Sequence, residues 1–443
     1  MASRQSTVRP NRKERLELGR RARDRVSRGK IGKIESKKRG FDPIEILLES
    51  AVGRVARLLP VKYGRMAESP FAFFRGAVSI MAADLARHEH TNLTVQLCGD
   101  AHLQNLGSFE APDGRIVFDL NDFDETIAGP WEWDVKRMAA SIVLAGSQAG
   151  HSQPECCGAV EAFVISYVGT VEELAEQPVL TAARHQIRRL KKAEATSAAI
   201  RQAARAQPLD LLKKYARPGA NRSPHFRRVE RNLWPVAGAR KRDVIAALAL
   251  YRESLAPEPC HLFDFFRPMD VAFKIVGIGS VGLRDYVVLM EGNGKADPLF
   301  LQIKQEVPSA YEGYLKSPPN AHQGTRVANG QRKIQPISDL LLGWTRIGEH
   351  DYLVRQLNDH KGSLNLTTLR GEDLSELASI AGELLARGHA RSGDALAIKA
   401  YIGKPEAVLK GLVSYGLKYA DVTYSDYEAF SKAISDNRLT VAR

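Results

Sequence analysis

Strand-forming segments occupy two separate stretches of this 443-residue chain, and their positions limit the folds that it can adopt. The first stretch holds "LTVQLCGD" and "GRIVFDLNDFDE", with a turn at "PDG" between them, and this order predicts that the two strands form a hairpin with the acids at one end. The second, within residues 270–357, holds three strands, with a hairpin turn at "GNGKAD" between the last two, and the hairpin "GWTRI"–"DYLVRQL" across "GEH". Residues 155–255 and the end of the chain have the apolar spacing of helices. Blocks of strands separated by blocks of helices predict an α+β fold, and the length predicts two or three lobes.

The positive charge of the chain is concentrated at its start. The net charge is +13, and residues 1–40 contain fifteen Lys and Arg against four Asp and Glu, so about +11 of it lies there. We expect residues 1–40 to form a basic, flexible and mostly disordered tail. The alternative is an electrostatic arm that binds nucleic acid or another polyanion.

The composition argues against membrane insertion and secretion. No window approaches 18 apolar residues, and the N-terminus lacks the apolar segment of a signal peptide. The four cysteines form no C-x-x-C pair and have no zinc-site spacing. The sequence therefore predicts a cytoplasmic protein without a membrane span, in which the cysteines are packing residues.

The segment "VQLCGDAHLQNLGSF" places an acid, an imidazole and an amide on one short turn. Asp100, His102 and Asn105 lie within six positions, and "FDLNDFDE" follows closely with Asp119, Asp122 and other acids. Oxygen ligands of this kind suit Mg²⁺, whereas zinc would need sulfur or more histidine. A polar turn with Asx caps is the alternative interpretation.

A second motif lies in "VGIGSVGLRDYVVLMEGNGKADPLFLQIKQE". Gly277, Gly279 and Gly282 have G-x-G-x-x-G spacing, and a strand follows where a dinucleotide-binding fold would require a helix. Lys304 lies two strands further on. A glycine loop between strands, followed by a lysine on the next strand, is typical of the nucleotide clamp of protein kinases. A glycine hairpin with a surface lysine is the alternative.

"CGDAHLQN" and "NDFDETIAGPWEWDVKRMA" resemble the catalytic segments of aminoglycoside and choline phosphotransferases, which have a kinase-like fold. The resemblance implies that Asp100 is the catalytic Asp, that Asn105 and Asp122 bind Mg²⁺, and that Asp134 supports the catalytic loop. It also implies ATP as the nucleotide, bound by the glycine loop with Ser280, by Lys304, and by the hinge that contains Gln356. Asp124 is a further candidate metal ligand. His102 belongs to the candidate catalytic set, more as a brace of the loop than as a base. Arg75 and Arg391 are candidates for phosphate binding, and a surface or buried structural arginine is the alternative at both positions.

The motifs occur in an unusual order, since Asp100 precedes Gly277 and Lys304. The resemblance therefore implies a circularly permuted, two-lobed kinase fold. Residues 41–255 would form the catalytic lobe with a helical insertion, 256–362 the β-rich nucleotide lobe, and 363–443 the helices that complete the catalytic lobe. Beyond the tail, "SPFAFFRG", "FDLNDFDET", "GIGSVGLR" and other stretches are similar to a bacterial family known as domain of unknown function 2252.

Two positions depart from the kinase-like pattern. Cys98 occupies the position at which the phosphotransferase loop has its first His. In addition, no glutamate on a helix is evident as a partner for Lys304. Glu312, Gln323 and Asn329 are the candidates for that partner. We expect an ATP- and Mg²⁺-dependent phosphotransferase acting on a small hydroxyl acceptor. AMP transfer, a nucleotide-binding pseudokinase or scaffold, and polyanion binding through the tail are the alternatives.

Overall fold

The computed structural model describes residues 10–34, 39–186, 194–218, 224–230, 232–275, 277–315, 319–357 and 362–442, which form a mixed α and β structure. The α-helices in these ranges are α1 (Arg12–Arg25), α2 (Pro43–Glu49), α3 (Leu59–Met66), α4 (Pro70–Gly76), α5 (Val78–Ala86), α6 (Trp131–Ala149), α7 (Gln153–Glu176), α8 (Val179–Ala183), α9 (Glu194–Arg205), α10 (Pro208–Tyr215), α11 (Gly238–Ser254), α12 (Pro257–Phe263), α13 (Gln323–Ile334), α14 (Asp373–Ser392), α15 (Ala395–Ile402) and α16 (Glu406–Ser435). The strands are β1 (Thr94–Leu97), β2 (Leu106–Glu110), β3 (Ile116–Leu120), β4 (Ile127–Pro130), β5 (Ala216–Pro218), β6 (Pro224–Phe226), β7 (Leu233–Pro235), β8 (Arg267–Lys274), β9 (Asp285–Glu291), β10 (Pro298–Glu306), β11 (Gly343–Ile347), β12 (His350–Gln356) and β13 (Gly362–Ser363).

The largest sheet has six antiparallel strands in the order β11-β12-β10-β9-β8-β7. β9 is buried along its whole length, and its side chains alternate between two apolar clusters. Val288 packs in the cluster of Tyr251 from α11, whereas Val287 packs in the cluster of Phe226 from β6. Because successive side chains of a strand point to opposite faces, helices cover one face of this sheet and the segment around β6 covers the other.

The helical part of the structure is built around α6, which is buried over most of its length. Its first residue, Trp131, stacks on Tyr167 of α7 with ring centroids 5.5 Å apart. α7 lies close against α14, where a Cβ on Gly382 would come within 2.4 Å of the Phe163 carbonyl oxygen. The same apolar core continues to Leu353 on β12, so the helices and the large sheet share one core.

Two small sheets connect these parts and carry the polar turns. β1 pairs with β4, and β2 pairs with β3 and β13, in each case antiparallel. The turn at Pro112–Gly114 therefore joins β2 to β3, and the predicted hairpin of "LTVQLCGD" with "GRIVFDLNDFDE" is wrong. The polar segments 98–105 and 121–126 instead connect the two small sheets, side by side.

The prediction that residues 155–255 are all helical is also wrong. β5 and β6 pair within this range, and β7 joins the large sheet as its last strand. These strands have three residues each, too few to show a period of two in the sequence. The domain boundary predicted near residue 256 stays a prediction; the sheet itself begins with β7, and α11 packs against β11.

The start of the chain differs from the expected disordered arm. Within described residues 10–34, α1 begins at a capping box formed by Asn11 and Glu14 and packs against α15. Arg15 forms an ion pair with Asp394 at 2.7 Å, and Gly19 faces the main chain of Ala397. The disorder prediction is therefore wrong for α1, and residues 1–9 and 35–38 lie outside the described part. No helix of the described residues has the length and apolar character needed to span a membrane.

Candidate active site

The turn after β1 is fixed from the first turn of α6. Asp134 accepts hydrogen bonds from the backbone N–H groups of Cys98 at 2.7 Å and Gly99 at 3.0 Å. Gly99 has φ of +83°, and a Cβ there would lie 2.2 Å from the Glu125 carbonyl oxygen, so the turn requires glycine. His389, near the end of α14, contacts the same carboxylate at 3.3 Å. Asp134 thus supports this turn, as the resemblance implies.

Asp100 follows this turn and forms an ion pair with a buried arginine. Arg137 Nε donates to Asp100 Oδ1 at 2.7 Å, and the Arg137 side chain is fully buried. The guanidinium also donates to the Phe74 carbonyl and lies over the Phe74 ring, 4.2 Å from its centroid. Burial opposes ionisation of Asp100, but the charges of Arg137 and His102 outweigh it and hold the pKa of this carboxyl below its usual range. Asp100 is therefore a fixed carboxylate at neutral pH.

His102 and Asn105 orient the rest of the turn. His102 Nε2 lies 3.5 Å from Asp100 Oδ2, and burial lowers the pKa of the ring. Asn105 Nδ2 donates to the Asp100 carbonyl at 2.8 Å, and the Asn105 carbonyl accepts from Asn121 N at 3.0 Å. The first bond uses the amide nitrogen of Asn105, so its amide oxygen remains as a ligand atom.

Asp122 and Asp124 form ion pairs with Lys304 of the large sheet. Lys304 is buried, contacts Asp124 directly, and lies 3.8 Å from Asp122. Burial and the charge of Asp122 raise the pKa of Asp124 to about 6. Burial acts in the same direction on Asp122, but the charges of Lys304 and Arg355 lower the pKa of that carboxyl overall. Asp119, in contrast, pairs with buried Arg387 and does not join this group.

None of the proposed partners of Lys304 fulfils that role among the described residues. Glu312 accepts hydrogen bonds from Asn320, Gln323 accepts from Arg326, and Asn329 is exposed. Lys304 is held by the two aspartates instead.

Glu306 is a buried acid that the sequence reasoning missed. It lies two residues after Lys304 on β10, so both side chains point to the same face of the strand. Its Oε1 has no hydrogen-bond partner in the described part of the chain. Burial, followed by the charge of Asp124, raises the pKa of Glu306 well above its usual range. The alternation in "LQIKQE" was the signal that could have placed Glu306 beside Lys304.

The glycine-rich loop is held through its carbonyl groups. Gly277 and Gly282 have φ of +67° and +95°, and the loop carbonyls accept hydrogen bonds from cations of the segment 54–65. Arg54 donates to the carbonyls of Gly279 and Val281, both at 2.8 Å. Val276 lies outside the described residues.

Two adjoining cavities bring the predicted site residues together. The larger, of about 580 Å³, is lined by Lys304 and Gln356 among others. The smaller, of about 330 Å³, is lined by Asp100, His102, Asn105, Asp124 and Gly279 among others. The residues that line both are Asp122, Gly277 and Ser280. Gly282 shapes the loop without lining either cavity, and the predicted hinge lies partly in residues 358–361, outside the described part.

The sequence reasoning left the cations of the smaller cavity almost unassigned. Arg54, Lys62 and Arg75 line it, and of these only Arg75 was considered as a phosphate ligand. Arg391, considered with it, instead donates to the carbonyls of Ala183 and Gln335. A buried arginine and a surface arginine look the same in a sequence, so only the fold separates them.

The donor set suits a hard divalent ion better than zinc. Among the described residues, no group of three or more His, Cys, Asp or Glu side chains could hold a metal. The predicted set differs from such a group, because it contains two acids, Asp122 and Asp124, and the amide oxygen of Asn105. Oxygen ligands with room for water and phosphate are what Mg²⁺ uses. The oxygen atoms of these three residues therefore fit Mg²⁺.

A family model described as an uncharacterized protein conserved in bacteria (DUF2252) matches residues 54–433. The chain belongs to this family. The match covers the larger cavity and the candidate site residues named in this section, and it begins after α1. Ile46, Glu49 and Ser50, which line part of the smaller cavity, precede the matched range. No curated protein and no solved structure matches the chain.

Proposed function

We propose that this member of the DUF2252 family is an ATP- and Mg²⁺-dependent phosphotransferase with a circularly permuted, kinase-like fold. The observation that carries the proposal is the convergence at two adjoining cavities of Asp100, Asn105, Asp122, Lys304 and the glycine-rich loop. These residues come from segments up to two hundred positions apart, and each has the chemistry that phosphoryl transfer requires.

The order of elements in the large sheet supports the proposal. β8 and β9 flank the glycine-rich loop, β10 carries Lys304, and α13 follows. A lysine on the third strand, after a glycine loop and before a helix, is the arrangement of protein kinases.

The end of α14 supports the permutation. His389 contacts Asp134, and Ser392 accepts a hydrogen bond from Gln96 N on β1 at 3.1 Å. The helix that follows the nucleotide lobe therefore ends beside the strand that leads to Asp100, so a cut between them would reorder the motifs without changing the site.

The mechanism assigns each residue one task. The glycine loop would cover the phosphates, and Lys304 would contact the α and β phosphate oxygens. Asn105, Asp122 and Asp124 would hold Mg²⁺, and the ion would supply positive charge to neutralise the phosphates. The acceptor oxygen attacks the γ phosphorus, the bond to the β–γ bridging oxygen breaks, ADP leaves, and Asp100 takes the hydroxyl proton. A carboxylate with a lowered pKa suffices, because the proton leaves late, as the phosphoryl group arrives.

A nucleotide-binding pseudokinase is the second candidate. α13 contains no Asp or Glu, and Lys304 contacts Asp124, one of the proposed metal ligands. In this alternative the site binds Mg²⁺ and ATP but transfers nothing.

Isothermal titration of ATP with and without Mg²⁺ tests the proposal on wild type, Asp122→Ala and Asp264→Ala. Asp264 is an exposed acid that is paired with Arg252 and lines neither cavity, and it serves as the control. We expect Mg²⁺-dependent binding by wild type and control, and a loss of about tenfold or more in Asp122→Ala. Absence of nucleotide binding by wild type would refute the proposal. Acceptor screening with Asp100→Asn as the inactive variant then separates an enzyme from a pseudokinase.

A further inference from the structure

The smaller cavity contains three cations that no acid neutralises directly in the described part of the chain. Lys62 is 1% exposed, and within the described residues its ammonium group donates only to the carbonyls of Gly76 and Gly279. Arg54 donates to the carbonyls of Ser50, Gly279 and Val281.

Arg75 is the third cation. It lies over the Phe71 ring, 5.9 Å from its centroid, and its buried Nε has no hydrogen-bond partner among the described residues. Buried cations of this kind are costly unless an anion joins them.

Six acids line the same cavity, and four of them have partners. Of the other two, Glu49 is exposed, and Glu306 is buried with an Oε1 that lacks a partner among the described residues. Asp100 is paired with Arg137, Asp122 and Asp124 with Lys304, and Glu125 Oε2 accepts a hydrogen bond from Ala310 N at 2.7 Å. Arg54 and Arg75 form no ion pair with these acids among the described residues, and they therefore keep their charge available for a ligand. Burial, followed by the charge of Arg54, lowers the pKa of Lys62 well below its usual value, and a bound oxyanion would reverse that effect.

We propose that the smaller cavity binds the acceptor through an oxyanion, so that the acceptor is a small hydroxyl compound that carries a phosphate or carboxylate group. This inference rests on the proposed phosphotransferase function and names its substrate class. The oxyanion lies against Arg54, Lys62 and Arg75, and the hydroxyl group lies at Asp100. Arginine and lysine bind such groups through charge-assisted hydrogen bonds.

This acceptor class differs from the one that the sequence resemblance suggests. Choline and aminoglycosides are cations, whereas the group that we place against Arg54, Lys62 and Arg75 is an anion.

The test is calorimetric titration of inorganic phosphate into the full-length chain, with and without a saturating, non-hydrolysable Mg²⁺·ATP analogue. The analogue fills the γ-phosphate position, so phosphate that still binds occupies the acceptor position. Arg75→Gln is the test variant, because Arg75 Nε has no hydrogen-bond partner among the described residues and the substitution therefore removes no such bond of that atom. Arg57→Gln is the control, since Arg57 lies between Arg54 and Lys62 in the segment 54–65, is exposed, and lines neither cavity. Arg75→Gln should weaken phosphate binding about tenfold and Arg57→Gln should not, with analogue affinity unchanged in both.

Two results would overturn the inference: equal phosphate affinity in wild type and Arg75→Gln, or loss of phosphate binding once the analogue is present. The second would mean that the cations serve the nucleotide itself. The failure of the two proposals can be told apart. Nucleotide binding without any phosphate binding refutes the oxyanion site alone, whereas Arg75-dependent phosphate binding without nucleotide binding refutes the phosphotransferase and leaves the anion site standing.

Discussion

Replacing Arg137 with Met should destabilise the protein through the charge that it leaves behind on Asp100. Arg137 is fully buried and the Asp100 side chain is 18% exposed, so the carboxylate would lose its counter-ion where water screens it poorly. Breaking a buried ion pair costs about 3–5 kcal/mol. The lost hydrogen bond to the Phe74 carbonyl and the lost ring contact fall within that range, at about 1 kcal/mol each. Methionine has a similar length to arginine, so the free-energy cost of the cavity that the substitution leaves is small.

The double-mutant cycle with Asp100→Asn separates the charge effect from packing. Removing Asp100 alone leaves Arg137 buried without an acid, and removing both leaves neither charge. We therefore expect Asp100→Asn/Arg137→Met to unfold at a higher urea concentration than Arg137→Met alone, with a coupling free energy of about 2 kcal/mol or more. Urea unfolding followed by tryptophan fluorescence suits this region, since Trp131 and Trp133 lie in the same core. Additivity of the two single effects within about 0.5 kcal/mol would refute the reasoning.

The loss of stability in Arg137→Met should depend on pH in a predictable direction. In wild type the pKa of Asp100 is held low, so its stabilising contribution is present above the pKa of an unfolded Asp and is lost only in strongly acidic solution. In Arg137→Met, burial without the guanidinium raises this pKa, and the carboxyl can protonate as the pH falls. The stability gap between wild type and variant should therefore be larger at neutral pH than near pH 4. A gap that widens on acidification would contradict the assigned pairing.

Two further predictions concern α1 and the large sheet. In Gly19→Ala the new Cβ would lie 2.0 Å from the Ala397 carbonyl oxygen, so α1 should dock less tightly and be cleaved faster by proteases within residues 12–25. We expect this although alanine favours a helix over glycine by about 1 kcal/mol. Gly29→Ala meets no atom within 4 Å and is the control; equal cleavage of both variants would show that α1 does not dock there. Burial raises the pKa of Asp285 to about 6, so wild type should lose stability as the pH rises through 6, by up to about 3 kcal/mol relative to Asp285→Asn. The melting temperatures of the two proteins between pH 4 and 8 measure this, and a difference independent of pH would mean that Asp285 titrates normally.

The sequence alone determined the features that depend on a few neighbouring residues. The hairpins β9–β10 and β11–β12 follow from strand periods and from the turns "GNGKAD" and "GEH", and the structure confirms both. The positions of Asp100, Asn105 and Lys304 on turns and strands were readable for the same reason. Their roles stay predictions.

Only the tertiary structure decided which distant residues meet. β1 pairs with β4 across the β2–β3 hairpin, and its short strands give no local sign of that choice. The docking of α1 depends on Gly19 facing α15, whereas the charge count of residues 1–40 suggested disorder.

The same limit applies to the candidate site. Arg137 pairs with an acid 37 residues away, and Lys62 lies against a loop 217 residues away. The pKa and the ligand preference of such groups come from burial and from partners that long-range packing supplies. A local pattern therefore identified the turn that carries Asp100, while the fold determined the charges that surround it.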